Sequence, residues 1–371
     1  MRKILALILT IGLFSISHAK ETVKIGLITP LTGDVKTFGE SSKNSFMIAV
    51  EEYNKKGKYN IVPIIADDKN DPTEGTNAAL KLITQDGVKA IIGPLTSKVT
   101  IPVSEIANSK KIPMITGTAT NPKVTVSDGK RKPYVFRACF IDPYQGKVAA
   151  QFALKDLKAK SAAVLYDVGN DYSKGLAEFF RDNFSKGGKI VAFESYQKDD
   201  VDFSALITKI AAKKPDVIFL PDYYNKVALI AKQLRERGVK SVLMGGDGWD
   251  SPELIKIGGK AIVGGYFTNH YSPDRNDPVS ESFIKKYKEK YNAIPDALGV
   301  LAYDATMIYL YALDKAKSSN PEDVVKELAN LKNFKAVTGT ISFDKNGDAQ
   351  KSVVILKLEE NGAKYVATVN P

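Results

Sequence analysis

The stretch Ala90-Ile91-Ile92-Gly93-Pro94-Leu95-Thr96-Ser97 joins a short apolar run, a turn and a helix start. An apolar run without polar alternation predicts a strand that is covered on both faces of its sheet. The Gly-Pro pair predicts a turn, and the Thr-Ser pair lies where a helix through Val99, Val103 and Ile106 would be capped. A strand that leads through a turn into a helix predicts a βαβ unit in a parallel sheet.

Similar runs recur along the chain and alternate with segments of helical spacing. Apolar runs predict strands at Ile25–Ile28, Ile61–Ile65, Ala90–Ile92, Pro113–Ile115, Ala162–Leu165, Val217–Leu220 and Ser241–Met244. Between them, apolar residues three or four positions apart predict helices with one buried face, as in Phe46–Tyr53, Leu176–Phe184 and Val227–Leu234. The alternation covers residues 23–137 and again 161–268, which predicts an α/β protein with two doubly wound parallel sheets.

Two breaks separate these series and a third region closes the chain. Pro143 excludes simple continuation of a strand through Ala138–Pro143, and two prolines lie in Thr268–Pro278. Helical spacing then covers Ser280–Ala316, and strand-like runs follow at Gly339–Phe343, Ser352–Leu358 and Lys364–Val369. A chain of 371 residues is also longer than one ordinary core requires, which favours two domains.

The first residues have the pattern of a secretory signal peptide. Arg2 and Lys3 precede an apolar stretch over residues 4–14 that is too short to span a bilayer. Ser17-His18-Ala19 supplies the small residues of a cleavage site. We therefore expect residues 1–19 to be removed after Ala19, and the rest of the chain to be exported and soluble.

Composition narrows the function classes. The formal charge of +11 falls to +9 when Arg2 and Lys3 are removed, but the lysines are spread along predicted helices. A solvated basic surface is therefore favoured over nucleic-acid binding. Cys139 is the single cysteine, and His270 is the only histidine after the leader, which excludes an internal disulfide and a zinc cluster of Cys and His. We expect no metal and no cofactor.

Motifs of common enzymes are missing from the sequence. No Gly-Lys pair is followed by Ser or Thr, no G-x-G-x-x-G follows a strand, and no G-x-S-x-G occurs. Neighbouring carboxylates at Asp67-Asp68 and Asp199-Asp200 lie on predicted loops, where adjacent side chains usually point apart. We therefore expect no catalytic residues. The run Asp344–Asp348 lacks the spacing of a calcium-binding loop, which favours a tight turn.

Polar groups follow predicted strands in both halves, at the edge where open parallel sheets bind ligands. Hydroxyls and backbone N–H groups at Ser97 and in the loop Thr116–Asn121 suit a carboxylate. Tyr172, Tyr223 and Asp247 follow strands of the second half, and Asp247 suits an ammonium group. Together they favour a zwitterion as ligand, although each residue alone is at least as often an ordinary cap or turn residue.

Four segments resemble the type I periplasmic binding proteins, and within them the leucine/isoleucine/valine-binding group of ABC transporters. The segments are Lys24–Gly39, Asp67–Pro72, Gly93–Pro102 and Thr118–Pro122. The resemblance implies two lobes joined by three crossover strands, with the ligand in the cleft between them. It also implies a periplasmic protein that closes on its ligand and delivers it to an ABC permease. We expect a monomer, with residues 20–140 and 271–342 in the first lobe and 141–270 and 343–371 in the second.

The resemblance also assigns ligand-binding positions. They are Phe38, Ser97, Thr118, Ala119, Thr120, Tyr172, Tyr223 and Asp247. Among them, Asp247 matches an acid that binds the ligand's ammonium group, whereas Ser97, Thr118 and Thr120 match residues that hold its carboxylate and amino group.

The sequence departs from the family pattern at three places. Phe38 replaces an aromatic residue that commonly carries a hydroxyl, and Asp247 replaces a longer Glu. Residues other than Cys, near Asn70 and Thr96, match the two cysteines of a family disulfide. We expect an aliphatic amino acid as ligand. Amides, urea-like molecules, aromatic acids or polar amino acids stay open, as does signalling to a membrane receptor instead of transport.

Overall fold

The computed structural model describes residues 20–275 and 277–371, so the predicted leader lies outside the described residues. These residues form two lobes, each built on its own large sheet. None of the described helices has the length and apolar character needed to cross a membrane.

The first lobe begins with alternating strands and helices. In chain order these are β1 (Thr22–Thr29), α1 (Lys36–Lys56), β2 (Asn60–Asp67), α2 (Pro72–Thr84), β3 (Ala90–Ile92), α3 (Ser97–Ser109), β4 (Met114–Thr116), β5 (Val126–Ser127), β6 (Lys130–Arg131) and β7 (Val135–Arg137). Strands in the order β2-β1-β3-β4-β7 form a wholly parallel sheet, and β5 and β6 form a small hairpin beside it.

The second lobe repeats the alternation. Its elements are α4 (Asp142–Lys155), β8 (Ser161–Asp167), α5 (Asp171–Phe184), β9 (Lys189–Tyr196), α6 (Ser204–Lys213), β10 (Val217–Phe219), α7 (Tyr224–Glu236), β11 (Val242–Gly245), α8 (Pro252–Gly258) and β12 (Tyr266–Asn269). The chain then returns to the first lobe with α9 (Pro278–Tyr291), α10 (Ala297–Ala316), α11 (Pro321–Ala329), β13 (Phe334–Ala336), β14 (Gly339–Phe343) and β15 (Ala349–Gln350).

Two final strands, β16 (Val353–Glu359) and β17 (Gly362–Val369), complete the second sheet. Its order is β17-β16-β12-β11-β10-β8-β9, with the two final strands antiparallel to their neighbours and the others parallel. The chain therefore passes between the lobes three times: after β7, after β12, and between β15 and β16.

Helices cover both faces of the first sheet, as its apolar strands require. Ile25 and Leu27 of β1 pack in the core that includes α1 and α10, whereas Ile28 packs in the core formed with α2 and α3. Each of these three side chains is at most 1% exposed. Such two-sided coverage leaves the loops at the strand ends as the accessible polar edge.

One predicted lobe boundary differs from the structure. The sequence predicts residues 343–371 in the second lobe, but Phe343 stacks on Phe136 of the first lobe at a centroid distance of 5.2 Å. Strand β15 pairs with β14, and Asp348 forms an ion pair with the buried Arg137. The return to the second lobe therefore begins near Val353, because the preceding turn is tied to the first lobe. The other boundaries stay predictions.

The two lobes touch along the cleft. The Phe38 ring of α1 meets Tyr224 of α7 edge to face, with 5.0 Å between centroids. Tyr224 Oη donates to Thr37 Oγ1 at 3.1 Å, and Asn121 Nδ2 donates to the carbonyl oxygen of Asp171 at 2.9 Å. Because these bonds join residues of different lobes, the structure represents a closed form.

Candidate functional site

A small cavity, partly open to solvent, lies between the lobes where the strands of both sheets end. The first lobe lines it with Leu95, Thr96, Ser97, Thr118 and Leu298, and the second with Tyr172, Tyr223, Asp247 and Gly248.

The first wall is the N-terminus of α3. Thr96 occupies the N-cap position of α3. Its hydroxyl donates to Asn70 Oδ1 at 2.8 Å and forms no capping hydrogen bond to the N–H groups described for this helix. Ser97 Oγ accepts the backbone N–H of Asn121 at 3.2 Å. The first N–H groups of a helix have no partners within it and carry the positive end of its dipole. This wall therefore presents donors suited to a carboxylate. The bond between Thr96 and Asn70 lies where the family resemblance places a disulfide.

The loop after β4 adds a hydroxyl to the same wall. Thr118 Oγ1 donates to the carbonyl oxygen of Leu95 at 2.5 Å, which leaves its lone pairs free to accept. Thr116 Oγ1 accepts the N–H groups of Thr118 and Ala119 at 3.3 and 3.1 Å. The side chain of Thr116, a residue of this loop, therefore holds the loop in shape without a ligand.

Asp247 is the acidic group of the opposite wall. Its Oδ1 accepts Tyr172 Oη and Gln145 Nε2, each at 2.9 Å. Its Oδ2 lies 2.9 Å from Nε2 of His270. Three donors from different segments of the second lobe thus hold one carboxylate at the cavity wall.

The two tyrosines of this wall act as neutral donors with apolar faces. Their rings stack with centroids 5.3 Å apart and planes inclined by 16°. Burial, reinforced by nearby carboxylates, raises the pKa of both Tyr172 and Tyr223 well above the usual value. The hydroxyls therefore stay protonated, and Tyr172 Oη also accepts the N–H of Gly248 at 3.1 Å.

His270 lies behind Asp247 and is fully buried. Its ring stacks on Phe140 with 3.8 Å between centroids. Burial lowers the pKa of His270 to about 4, although Asp247 opposes this shift. The imidazole is therefore neutral at pH 7 and does not cancel a negative charge on Asp247.

A model of the periplasmic binding protein family matches residues 22–363. The chain belongs to the periplasmic binding protein family. Leu/Ile/Val-binding protein homolog 3 of Brucella melitensis is 35% identical to this binding protein over 344 residues, which cover 91% of each chain.

Solved structures agree with this assignment. The leucine binding protein LivK of Thermotoga maritima has a TM-score of 0.90 and 40% identity, and the match covers 94% of this binding protein and 99% of LivK. The branched-chain amino acid binding protein LivJ of Streptococcus pneumoniae, solved with isoleucine, has a TM-score of 0.87 and 30% identity, covering 95% and 100%. The predicted fold class and family are confirmed.

Five of the predicted ligand-binding residues of this periplasmic binding protein meet at the cavity. They are Ser97, Thr118, Tyr172, Tyr223 and Asp247. Three others do not line it. Phe38 is fully buried and packs on Tyr223 and Tyr224, while Ala119 turns its carbonyl oxygen to Arg137. Thr120 is 1% exposed and lies beside the buried Asp142. Contact of any of the eight residues with a ligand stays a prediction.

Sequence reasoning missed several groups around the binding protein's cavity. Leu298 opens α10, which is far along the chain from the strand ends on which the predictions were based. Gln145 lies in the first turns of α4, and His270 directly follows β12. No motif marks these positions, but His270 was available as the only histidine after the leader.

Proposed function

We propose that this periplasmic binding protein captures the zwitterion of a small aliphatic amino acid, with a branched side chain, between its lobes. It delivers the amino acid to the membrane permease of an ABC transporter. The protein works in the periplasm as a monomer after cleavage at Ala19, and it has no catalytic activity of its own.

The polarity of the two walls carries this proposal. Helix-terminal N–H groups and the hydroxyls of Ser97 and Thr118 form one wall, and the carboxylate of Asp247 stands on the other. A molecule with a carboxylate and an ammonium group pairs both of its charges in this arrangement. A molecule with only one of them leaves the opposite wall unpaired, which is unfavourable in a desolvated cleft.

The apolar part of the cavity supports an aliphatic side chain. Leu95, Leu298 and the faces of the stacked Tyr172 and Tyr223 rings line the same space. The names of the relatives refer to leucine, isoleucine and valine, and the LivJ structure holds isoleucine. These chemistries agree with the cavity lining of this chain.

Closure links binding to transport. Each lobe contributes one wall, so the ligand binds the closed form more tightly than the open form and shifts the population towards it. A permease that recognises the closed shape then receives loaded protein preferentially.

The test compares two ligands that differ only at the amine: L-leucine and its oxo acid, 4-methyl-2-oxopentanoate. Asp247→Asn preserves the side-chain shape and removes its charge. We expect calorimetry to show leucine binding weakened at least 30-fold, about 2 kcal/mol, with oxo acid binding within threefold of the parent.

Asp182→Asn is the matched control, because Asp182 is exposed on α5 and should leave both affinities unchanged. Equal leucine affinity of Asp247→Asn and parent would contradict the assigned role. Binding of sugars but of no amino acid by the parent would contradict the proposed function.

A further inference from the structure

The charge of the second wall depends in part on Gln145 and His270, which do not line the cavity. The Asp247 carboxylate is held by Tyr172 and Gln145 on Oδ1 and by His270 on Oδ2. A carboxylate has about four acceptor positions on its two oxygens. Oδ1 already accepts two donors, so the remaining position lies on Oδ2, the oxygen that His270 orients.

Resting on the proposed function, we propose that His270 is the residue that sets amine specificity. Its neutral imidazole donates one N–H to Asp247, which keeps a full negative charge aimed at the ligand's ammonium group. His270 acts through Asp247 and is a positioning residue.

The geometry requires the neutral form of this histidine. Nε2 faces Oδ2 at 2.9 Å, which places the proton on Nε2. Nδ1 is buried and has no partner among the described residues, so a proton there would be an unsatisfied charged donor. Phe140 covers one face of the ring. Burial outweighs the attraction of Asp247, and a positive charge is disfavoured at this position.

The surrounding charges do not replace this function. Lys351 is buried, and its positive charge disfavours a second one on His270. Asp142 lies near Asp247, but burial raises the pKa of Asp142 well above its usual value and favours its neutral acid. Arg137 is paired with Asp348. Asp247 therefore supplies the negative charge that faces the cavity.

Two substitutions distinguish the effect of the hydrogen-bond donor of His270 from the effect of its side-chain volume. His270→Leu fills the position without a donor, whereas His270→Gln retains an N–H that can reach Asp247. We expect His270→Leu to weaken leucine binding about 10- to 100-fold, as removal of a hydrogen bond to a charged group predicts, and His270→Gln to stay within threefold of the parent. Binding of 4-methyl-2-oxopentanoate should stay unchanged in both variants.

A second measurement reads the imidazole directly. His270 is the only histidine of the chain from Lys20, so its nitrogen NMR spectrum without a histidine tag contains one imidazole. We expect a neutral ring with the proton on Nε2 from pH 8 to about 5, with and without leucine. A charged ring at pH 7, or a proton on Nδ1, would overturn the proposal.

The outcomes are distinguishable. If His270→Leu binds leucine as tightly as the parent, the role of His270 is rejected and the proposed function is not. The same conclusion follows if His270→Gln loses as much affinity as His270→Leu while its thermal midpoint is unchanged. A parent protein that binds no amino acid rejects the proposed function, and the role of His270 falls with it.

Discussion

Two buried carboxylates meet at the start of α10. Asp296 caps this helix by accepting the N–H of Gly299 at 2.8 Å, and Asp250 of the second lobe accepts the N–H of Ala297 at 2.7 Å. Burial, reinforced by Asp250, raises the pKa of Asp296 to about 7, and burial also raises the pKa of Asp250. The folded protein therefore holds a proton here that the unfolded chain releases near pH 4.

Asp296→Asn should remove part of the pH dependence of stability. A raised pKa favours the folded state below about pH 4, and this contribution is lost as pH rises through about 7. Asn retains the oxygen that accepts from Gly299 but cannot ionise. We expect the variant to melt a few degrees higher than the parent at pH 8, with a smaller difference at pH 5.

Differential scanning calorimetry at the two pH values measures this difference. Asp156→Asn, an exposed residue at the end of α4, is the control and should follow the parent at both. A variant that tracks the parent at pH 8 would show that Asp296 is ionised in the folded state without penalty.

At the scale of elements, a buried guanidinium joins Thr116 in holding the loop that carries Thr118. Arg137 of β7 donates Nη1 to the carbonyl oxygens of Ala119 and Asn121 at 2.8 and 3.0 Å. Its Nε pairs with Asp348 Oδ1 at 2.6 Å. The turn before β15 is thereby tied to the loop of the binding site through a single side chain.

Arg137→Met should destabilise the protein by about 3–5 kcal/mol, because it leaves the buried Asp348 unpaired. Leucine affinity should also fall as the loop loosens. Urea unfolding gives the first quantity and calorimetry the second. The double variant Arg137→Met/Asp348→Leu removes both charges and should regain part of the lost stability. A double variant less stable than Arg137→Met would contradict this account.

Which elements could be predicted depended on their surroundings. Strands β3 and β10 lie between parallel neighbours and carry continuous apolar runs, so the pattern located them. Strand β9 lies at a sheet edge, and its apolar run Ile190–Phe193 is only half-buried, so the expected pattern of a strand covered on both faces did not select it. The helical pattern over 280–316 proved to be two helices, because Asn292 adopts a left-handed conformation that ends α9.

The residues of the site were also predictable only where a local sequence pattern marks them. Ser97, Tyr223 and Asp247 lie in the segments that follow β3, β10 and β11, and the rule for strand ends locates them. Gln145 and His270 reach Asp247 through tertiary packing, which no local pattern records. Phe38 was expected at the ligand, but its ring is buried between the lobes.

At the scale of the whole molecule, contacts between the lobes favour the closed form. Lys198 pairs with Asp34 at 3.3 Å, but both side chains are at least half exposed, so the pair contributes little. The contact of Tyr224 with Phe38 and Thr37 is better protected from water. It therefore controls the balance between open and closed forms more strongly.

Tyr224→Phe keeps the ring contact with Phe38 and removes the hydrogen bond that its hydroxyl donates to Thr37 of the other lobe. We expect leucine affinity to fall about two- to tenfold, since the closed form loses roughly 0.5–1.5 kcal/mol while the cavity lining is untouched. Small-angle X-ray scattering should show a larger radius of gyration without ligand. Tyr166→Phe, in β8 of the second lobe, is the control. Unchanged affinity and radius in Tyr224→Phe would exclude this hydroxyl from closure.

The three passages between the lobes have a practical consequence for the two ends of the described chain. Strand β1 belongs to one body and β17 to the other, so the ends move relative to each other whenever the bodies rotate. A donor fluorophore before Thr22 and an acceptor after Val369 would convert this rotation into a change in energy transfer. The fold therefore suits a fluorescent sensor of ligand concentration that carries no label near the cavity.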